Sequence, residues 1–121
     1  MKPAPVALEE RLIEFGAGIC KALRQMPCDV VGGHLTGQLV RCATSPAANY
    51  AEACAAESRR DFLHKMRLCL KELRETSVWL RFSQRLCCQQ LEIARLSAEC
   101  SELIAIFVTS INTARKAANR R

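Results

Sequence analysis

Aromatic residues are scarce in this chain: one Trp, one Tyr and four Phe among 121 residues, with five Gly and four Pro. Strands draw on aromatic and β-branched side chains and are punctuated by glycine and proline turns, so a sheet is poorly supplied and an all-helical chain is expected. The length is enough for one modest core and too short for two. Long apolar runs are missing as well. The longest, "LIAIFV" at 103–108, is far too short to cross a bilayer. The opening "MKPAPVALEERLIEF" places Glu9, Glu10 and Arg11 among its apolar residues before a secretory core can form. A cytoplasmic protein with no membrane partner is expected.

The chemistry-bearing patterns are thin. Eight cysteines stand at 20, 28, 42, 54, 69, 87, 88 and 100 without a C-x-x-C pair, and His34 and His64 have no metal-ligating neighbour at helical spacing. Several of these cysteines fall on apolar helical stripes, where a reduced thiol acts as a small hydrophobe. Adjacent helical positions point about 100° apart, so Cys87 and Cys88 cannot both be central core, and one of them is a candidate for oxidation. Glu52, Glu57 and Asp61 lie near His64, but the repeated Glu-x-x-His pairs of di-iron bundles are absent. Cys69, Ser45 and Ser58 have no positioned base visible in the sequence. No glycine-rich phosphate loop exists: Gly16 and Gly18 fall inside a helix, where they let a neighbour approach closely, and Gly32-Gly33 fall in a turn. No enzyme, metal or cofactor is expected.

What the chain does have is helical periodicity, in four segments predicted at about 7–26, 34–56, 59–86 and 89–116, with frayed termini. Leu8, Leu12, Phe15, Ile19, Ala22 and Met26 alternate steps of four and three, a heptad seam. Pro27 stops that helix, and "PCDVVGG" makes the turn. The second seam is Leu35, Leu39, Cys42, Pro46, Asn49 and Ala53. Ser58 caps the third helix with Asp61 at N3, and its seam is Phe62, Met66, Cys69, Leu73, Thr76, Leu80 and Ser83. The fourth carries Ile93, Leu96, Cys100, Leu103, Phe107, Ser110 and Ala114, widened by Ile104, Val108 and Ile111. Short connections between long helices predict one antiparallel up-down-up-down four-helix bundle spanning residues 1–121.

Pro46 has no amide hydrogen for the Cys42 carbonyl and its ring crowds that carbonyl, so helix two is expected to kink or restart there. Ser45, Asn49 and Ala53 then follow at i, i+4 and i+8. Asn49 is either a buried amide that sets register or oligomeric state, or a partly exposed residue at a bundle end.

The ordered series Gln38, Leu39, Arg41, Ser45, Pro46, Asn49, Ala51, Glu52, then Arg59, Arg60, Asp61, Phe62, then Leu70, Glu72, Leu73 resembles a family. It is that of the four-helix-bundle proteins encoded by intervening sequences in bacterial large-subunit (23S) rRNA genes. Of these residues, Gln38, Arg41, Ser45, Pro46, Asn49 and Glu52 form the structural motif. Ala53 stands where the family usually has a helix-ending Gly, and Tyr50 where it has Ile. The resemblance implies a homo-oligomer, a pentamer, similar in fold to the accessory variability proteins of diversity-generating retroelements, which are associated with a reverse transcriptase and RNA.

Charge is the remaining signal. The net charge is +6. Between Ser58 and Arg85, eight basic residues face three acidic ones, a net of +5. Arg60, Arg67, Arg74 and Arg81 recur every seven residues, flanked by Lys71 and Arg85, so one face of helix three is a cationic ridge with an arginine about every 10.5 Å. Such a ridge suits phosphates, read by charge and shape, with Trp79 and Phe82 as the available stacking groups. Alternatively, it is a solvated face neutralised by Glu72, Glu75 or a second subunit's acids. RNA binding by an oligomer and a protein-interaction scaffold for a nucleic-acid-handling enzyme are the two functional expectations.

Overall fold

A computed structural model describes residues 5–86 and 91–119. The chain is all-α: α1 (Pro5–Ala22), a 3-10 turn (Leu23–Gln25), α2 (Val30–Cys54), α3 (Arg59–Leu86) and α4 (Leu91–Asn119). The expected Cys87-Cys88 pair, the start of helix four at Gln89 and residues 1–4 and 120–121 of the expected frayed ends lie outside the described residues; Pro5, Ala118 and Asn119, also expected to fray, are helical.

The first seam packs as its spacing requires, with Leu8, Leu12, Phe15, Ile19, Ala22 and Met26 all buried. The helix ends earlier than residue 26, tightening into the 3-10 turn before Pro27. α2 begins four residues before the predicted position, because Asp29 is its N-cap and accepts a hydrogen bond from the Gly32 amide at 2.7 Å. Gly32 and Gly33 are therefore helical, not a turn. Gly32 is needed there: a Cβ at this position would lie 1.9 Å from the Pro27 carbonyl oxygen.

Three seams slip by one residue. Tyr50 is buried in place of Asn49, Leu63 in place of Phe62, and Ile111 in place of Ser110, each displaced residue being half-buried. A strict alternation of three and four drifts about 20° per heptad from a straight 3.6-residue helix, and these are the positions where the drift shows. Of the other fourth-helix seam and widening positions, Ala114, Ile104 and Val108 are half-buried.

α3 opens as expected: Ser58 Oγ accepts from the Asp61 amide at 3.0 Å. α2 runs through Pro46 as one helix and does not restart. It ends without a left-handed residue, since the Ala55 and Ala56 amides reach back to the Glu52 and Ala53 carbonyls at 3.2 and 3.1 Å. Among the described residues no φ is positive, so Ala53 suffices where a glycine cap was the expected pattern.

α2 packs on α3, α3 on α4, and α1 on both α2 and α4. The glycines of α1 allow two of these approaches. A Cβ on Gly16 would meet the Ala43 carbonyl oxygen of α2 at 2.9 Å, and one on Gly18 would meet Leu96 Cδ2 of α4 at 3.1 Å. In the interior Tyr50 and Phe107 meet edge to face, with centroids 5.8 Å apart. Cys42, Cys69 and Cys100 are fully buried, from three different helices. No helix among the described residues is long and apolar enough to cross a membrane.

Candidate nucleic-acid interface

α3 is 28 residues long and turns a buried stripe inward, from Leu63 to Ser83, apolar except for Thr76 and Ser83, whose hydroxyls donate to the Glu72 and Trp79 carbonyls. That inward stripe fixes what faces out. Arg60, Arg67, Lys71, Arg74, Arg81 and Arg85 are all exposed, and among the described residues none of the six makes an ion pair or side-chain hydrogen bond. The two other cations of this helix are engaged: Arg59 donates to the Ala114 carbonyl of α4 at 3.2 Å, and Lys65 pairs with Glu52 of α2 at 3.1 Å. At 1.5 Å per residue, the six unpaired cations span about 37 Å of helix.

Two acids of α3 near the ridge, Glu72 and Glu75, form their ion pairs with α2, although Glu75 also feels the charge of Lys71. Arg41 of α2 holds Glu72 at 3.2 Å and also pairs with Glu75, while its Nη2 donates to Gln38 Oε1 at 3.0 Å. Glu75 additionally accepts from Trp79 Nε1 at 3.1 Å. The Trp79 hydrogen bond, followed by that of Arg41, holds the Glu75 carboxyl below the usual carboxylate range, and the bond to Glu75 raises the Arg41 guanidinium. The arrangement favours the ionised form of Glu75 and commits both carboxylates to Arg41 of α2. Two parts of the sequence motif, Gln38-Arg41 and Glu72, thus meet in one cluster. The rest of the motif lies further along α2: Pro46 is buried, and its carbonyl accepts from Cys69 Sγ at 3.4 Å. Asn49 is half-buried and donates to the Ser45 carbonyl at 3.2 Å, and Glu52 holds Lys65. The Ser45 hydroxyl oxygen is buried with no hydrogen-bond partner.

The buried thiols are not poised as nucleophiles. Burial pushes the Cys69 and Cys100 thiols up to about 12 and raises Cys42, which disfavours the reactive thiolate. Burial, then a contact with Cys54, also pushes the Tyr50 hydroxyl well above its ordinary range. Among the described residues no three His, Cys, Asp or Glu side chains gather as a metal site. A groove of about 880 Å³ lies between α1 and α4, lined by Glu14, Lys21, Glu92, Arg95 and Glu99 among others. Four of its charges are engaged, while Glu14 and Lys21 make no ion pair among the described residues: Arg11 holds Glu99 at 2.7 Å and Glu102 at 3.0 Å, and Arg95 pairs with Glu92.

One member of the α2–α3 cluster was not legible in the sequence. His34 of α2 meets Trp79 edge-on, with centroids 5.5 Å apart and planes at 80°. A contact between residues 45 positions apart leaves no periodic trace. The Glu75–Trp79 and Trp79–Phe82 contacts do have a local signal, since they are i, i+4 and i, i+3 neighbours on one helix.

No curated protein matches the chain. Among solved structures it is similar to a protein of unknown function from the S23 ribosomal protein family of Bacteroides thetaiotaomicron. The TM-score is 0.77 and the identity 25%, over 89% of this chain and 97% of that one. The family model described as 23S rRNA-intervening sequence protein matches residues 9–109, nearly the whole of the four-helix fold and all six ridge cations. The chain belongs to the 23S rRNA-intervening sequence protein family.

Proposed function

We propose that this protein is a non-enzymatic, cytoplasmic RNA-binding oligomer that holds a phosphate backbone along the α3 ridge. The observation that carries the reading is the set of six exposed cations, Arg60, Arg67, Lys71, Arg74, Arg81 and Arg85, left unpaired while Glu72 and Glu75 are committed to Arg41. A line of fixed cations recognises charge and spacing more than sequence, and its affinity falls steeply as salt competes for the phosphates. Membership of a family named for 23S rRNA intervening sequences supports RNA as the polyanion.

The same reading takes the four helices as an up-and-down antiparallel bundle, with α2 bent at Pro46. The cross-helix contacts support this: on α2 and α3, His34 meets Trp79, Arg41 meets Glu72, and Glu52 meets Lys65. The subunits assemble as a homopentamer related in fold to the accessory variability proteins of diversity-generating retroelements. A ring multiplies the ridges, and several weak contacts then act together.

The test is fluorescence anisotropy with a structured ribosomal RNA fragment and an unrelated RNA. Light scattering on the same samples gives the mass. Saturable binding should weaken roughly a hundredfold between 50 and 200 mM salt if about four phosphates are held. It should be lost when Arg60, Arg67, Arg74 and Arg81 are changed together to Glu. Absence of binding at low salt would overturn the reading and leave an acidic protein as the partner of the ridge. A monomeric mass would remove the pentamer.

A further inference from the structure

The C-terminal end of α3 carries an unusual neighbour to the ridge. Phe82 is 47% exposed, in a chain whose other Phe side chains are buried or half-buried. Its ring lies against Trp79, with centroids 5.4 Å apart and planes tilted by 35°. Trp79 is itself held on two sides: its indole N–H donates to Glu75 at 3.1 Å, and His34 meets it edge-on from α2. Glu75 is in turn held by Arg41. The aromatic pair is therefore fixed before any ligand arrives and has little side-chain freedom to lose on binding. Arg81 and Arg85 adjoin it, one residue before and three residues after Phe82, both exposed and without an ion pair among the described residues.

Resting on the reading of the ridge as an RNA surface, we propose that Phe82, backed by Trp79, is a stacking platform for unpaired bases. The RNA crossing this end of α3 is then single-stranded. Cations beside a rigid exposed ring are the combination that single-stranded nucleic acid uses: phosphates go to the arginines and a base face goes to the ring. A duplex keeps its bases stacked inside and can use only the cations. The platform thus adds a preference for loops or ends that the ridge alone does not have.

Trp79 is the chain's one tryptophan, so its emission reports the platform directly. The wild-type protein is titrated at low salt with a single-stranded oligoadenylate and with a blunt RNA duplex of equal length, following tryptophan emission and anisotropy together. The single strand should quench or shift Trp79 emission, and the duplex should bind without doing so. Phe82→Leu should weaken single-strand binding about fivefold or more, the low end for stacking on one ring, and leave duplex binding unchanged. Arg81→Glu should weaken both. A bound single strand that leaves Trp79 emission unmoved, or a Phe82→Leu variant that loses equally on both RNAs, would overturn the platform and leave the ridge standing. Binding of neither RNA would remove the ridge reading, and the platform with it.

Discussion

The α2–α3 seam and the α1–α4 seam join helices of one fold, yet the first is bridged by several side-chain contacts and the second holds a groove of about 880 Å³. Side-chain size is the reason. The groove is lined by Ala17, Gly18 and Ala98, and its bridge is a single arginine, Arg11, reaching to Glu99 and Glu102. Across α2–α3, by contrast, Arg41, Lys65, Trp79 and Cys69 all find partners on or across the seam. A seam that satisfies its own acids leaves the opposite side of α3 with unbalanced positive charge. The bridging of α2 to α3 and the exposure of the ridge are thus two results of one arrangement.

The comparison breaks most visibly in the core of the α2–α3 seam. Leu39 is fully buried, and Leu39→Ala should cost about 2–5 kcal/mol by urea denaturation. Ile13→Ala, on the exposed side of α1, should stay within about 0.5 kcal/mol. A sharper version uses one substitution at two glycines of α1. Gly16→Ala places a methyl 2.9 Å from a backbone carbonyl of α2, which cannot yield without moving the helix. A loss of about 1–3 kcal/mol is expected. Gly18→Ala meets only the end of the flexible Leu96 side chain at 3.1 Å, beside the groove. Here the helix propensity of alanine should win, by up to about 1 kcal/mol. Equal effects at the two glycines would show that α1 packs as tightly on α4 as on α2.

The smallest effect concerns the bridge of the α1–α4 seam. The Arg11 hydrogen bond holds the Glu99 carboxyl below its ordinary range. A carboxylate more acidic in the folded chain than in the unfolded one stabilises the fold above its unfolded value of about 4.3 and loses that contribution as pH falls through the folded value. Glu99→Gln should therefore lower stability slightly at neutral pH. It should also flatten the fall in melting temperature below about pH 4, read by circular dichroism. An unchanged acid limb would show that the Arg11 bridge contributes nothing to holding α1 on α4.

Much of this was legible in advance, and the misses have physical causes. The six-residue seam of α1 could be read directly, because all six of its positions are apolar, whereas the slipped Asn49 and Ser110 are polar. The start of α2 was hidden by two glycines, which are poor helix formers and read as a turn. Asp29, three residues before the Gly32 amide it accepts from, was the available signal. The Asn49, Phe62 and Ser110 slips came from extending a strict heptad along helices that do not supercoil fully. Of the eight cations between Ser58 and Arg85, spacing alone singled out the six of the ridge. It did not show that Arg59 and Lys65 would be tied to neighbouring helices.

Sequence by itself determined that the chain is helical, that it has four long segments, which faces of them are apolar, and that α3 carries cations at a seven-residue repeat. These are properties of local propensity and period, which each segment expresses before it touches another. Tertiary structure alone decided which charges are cancelled. Arg41 had to meet Glu72 and Glu75 across more than 30 residues of chain, and His34 had to meet Trp79, before the ridge could be left unpaired and Phe82 left with a rigid backing. A salt bridge or a ring contact depends on distances of a few ångströms between side chains, and only the packing of α2 against α3 sets those distances.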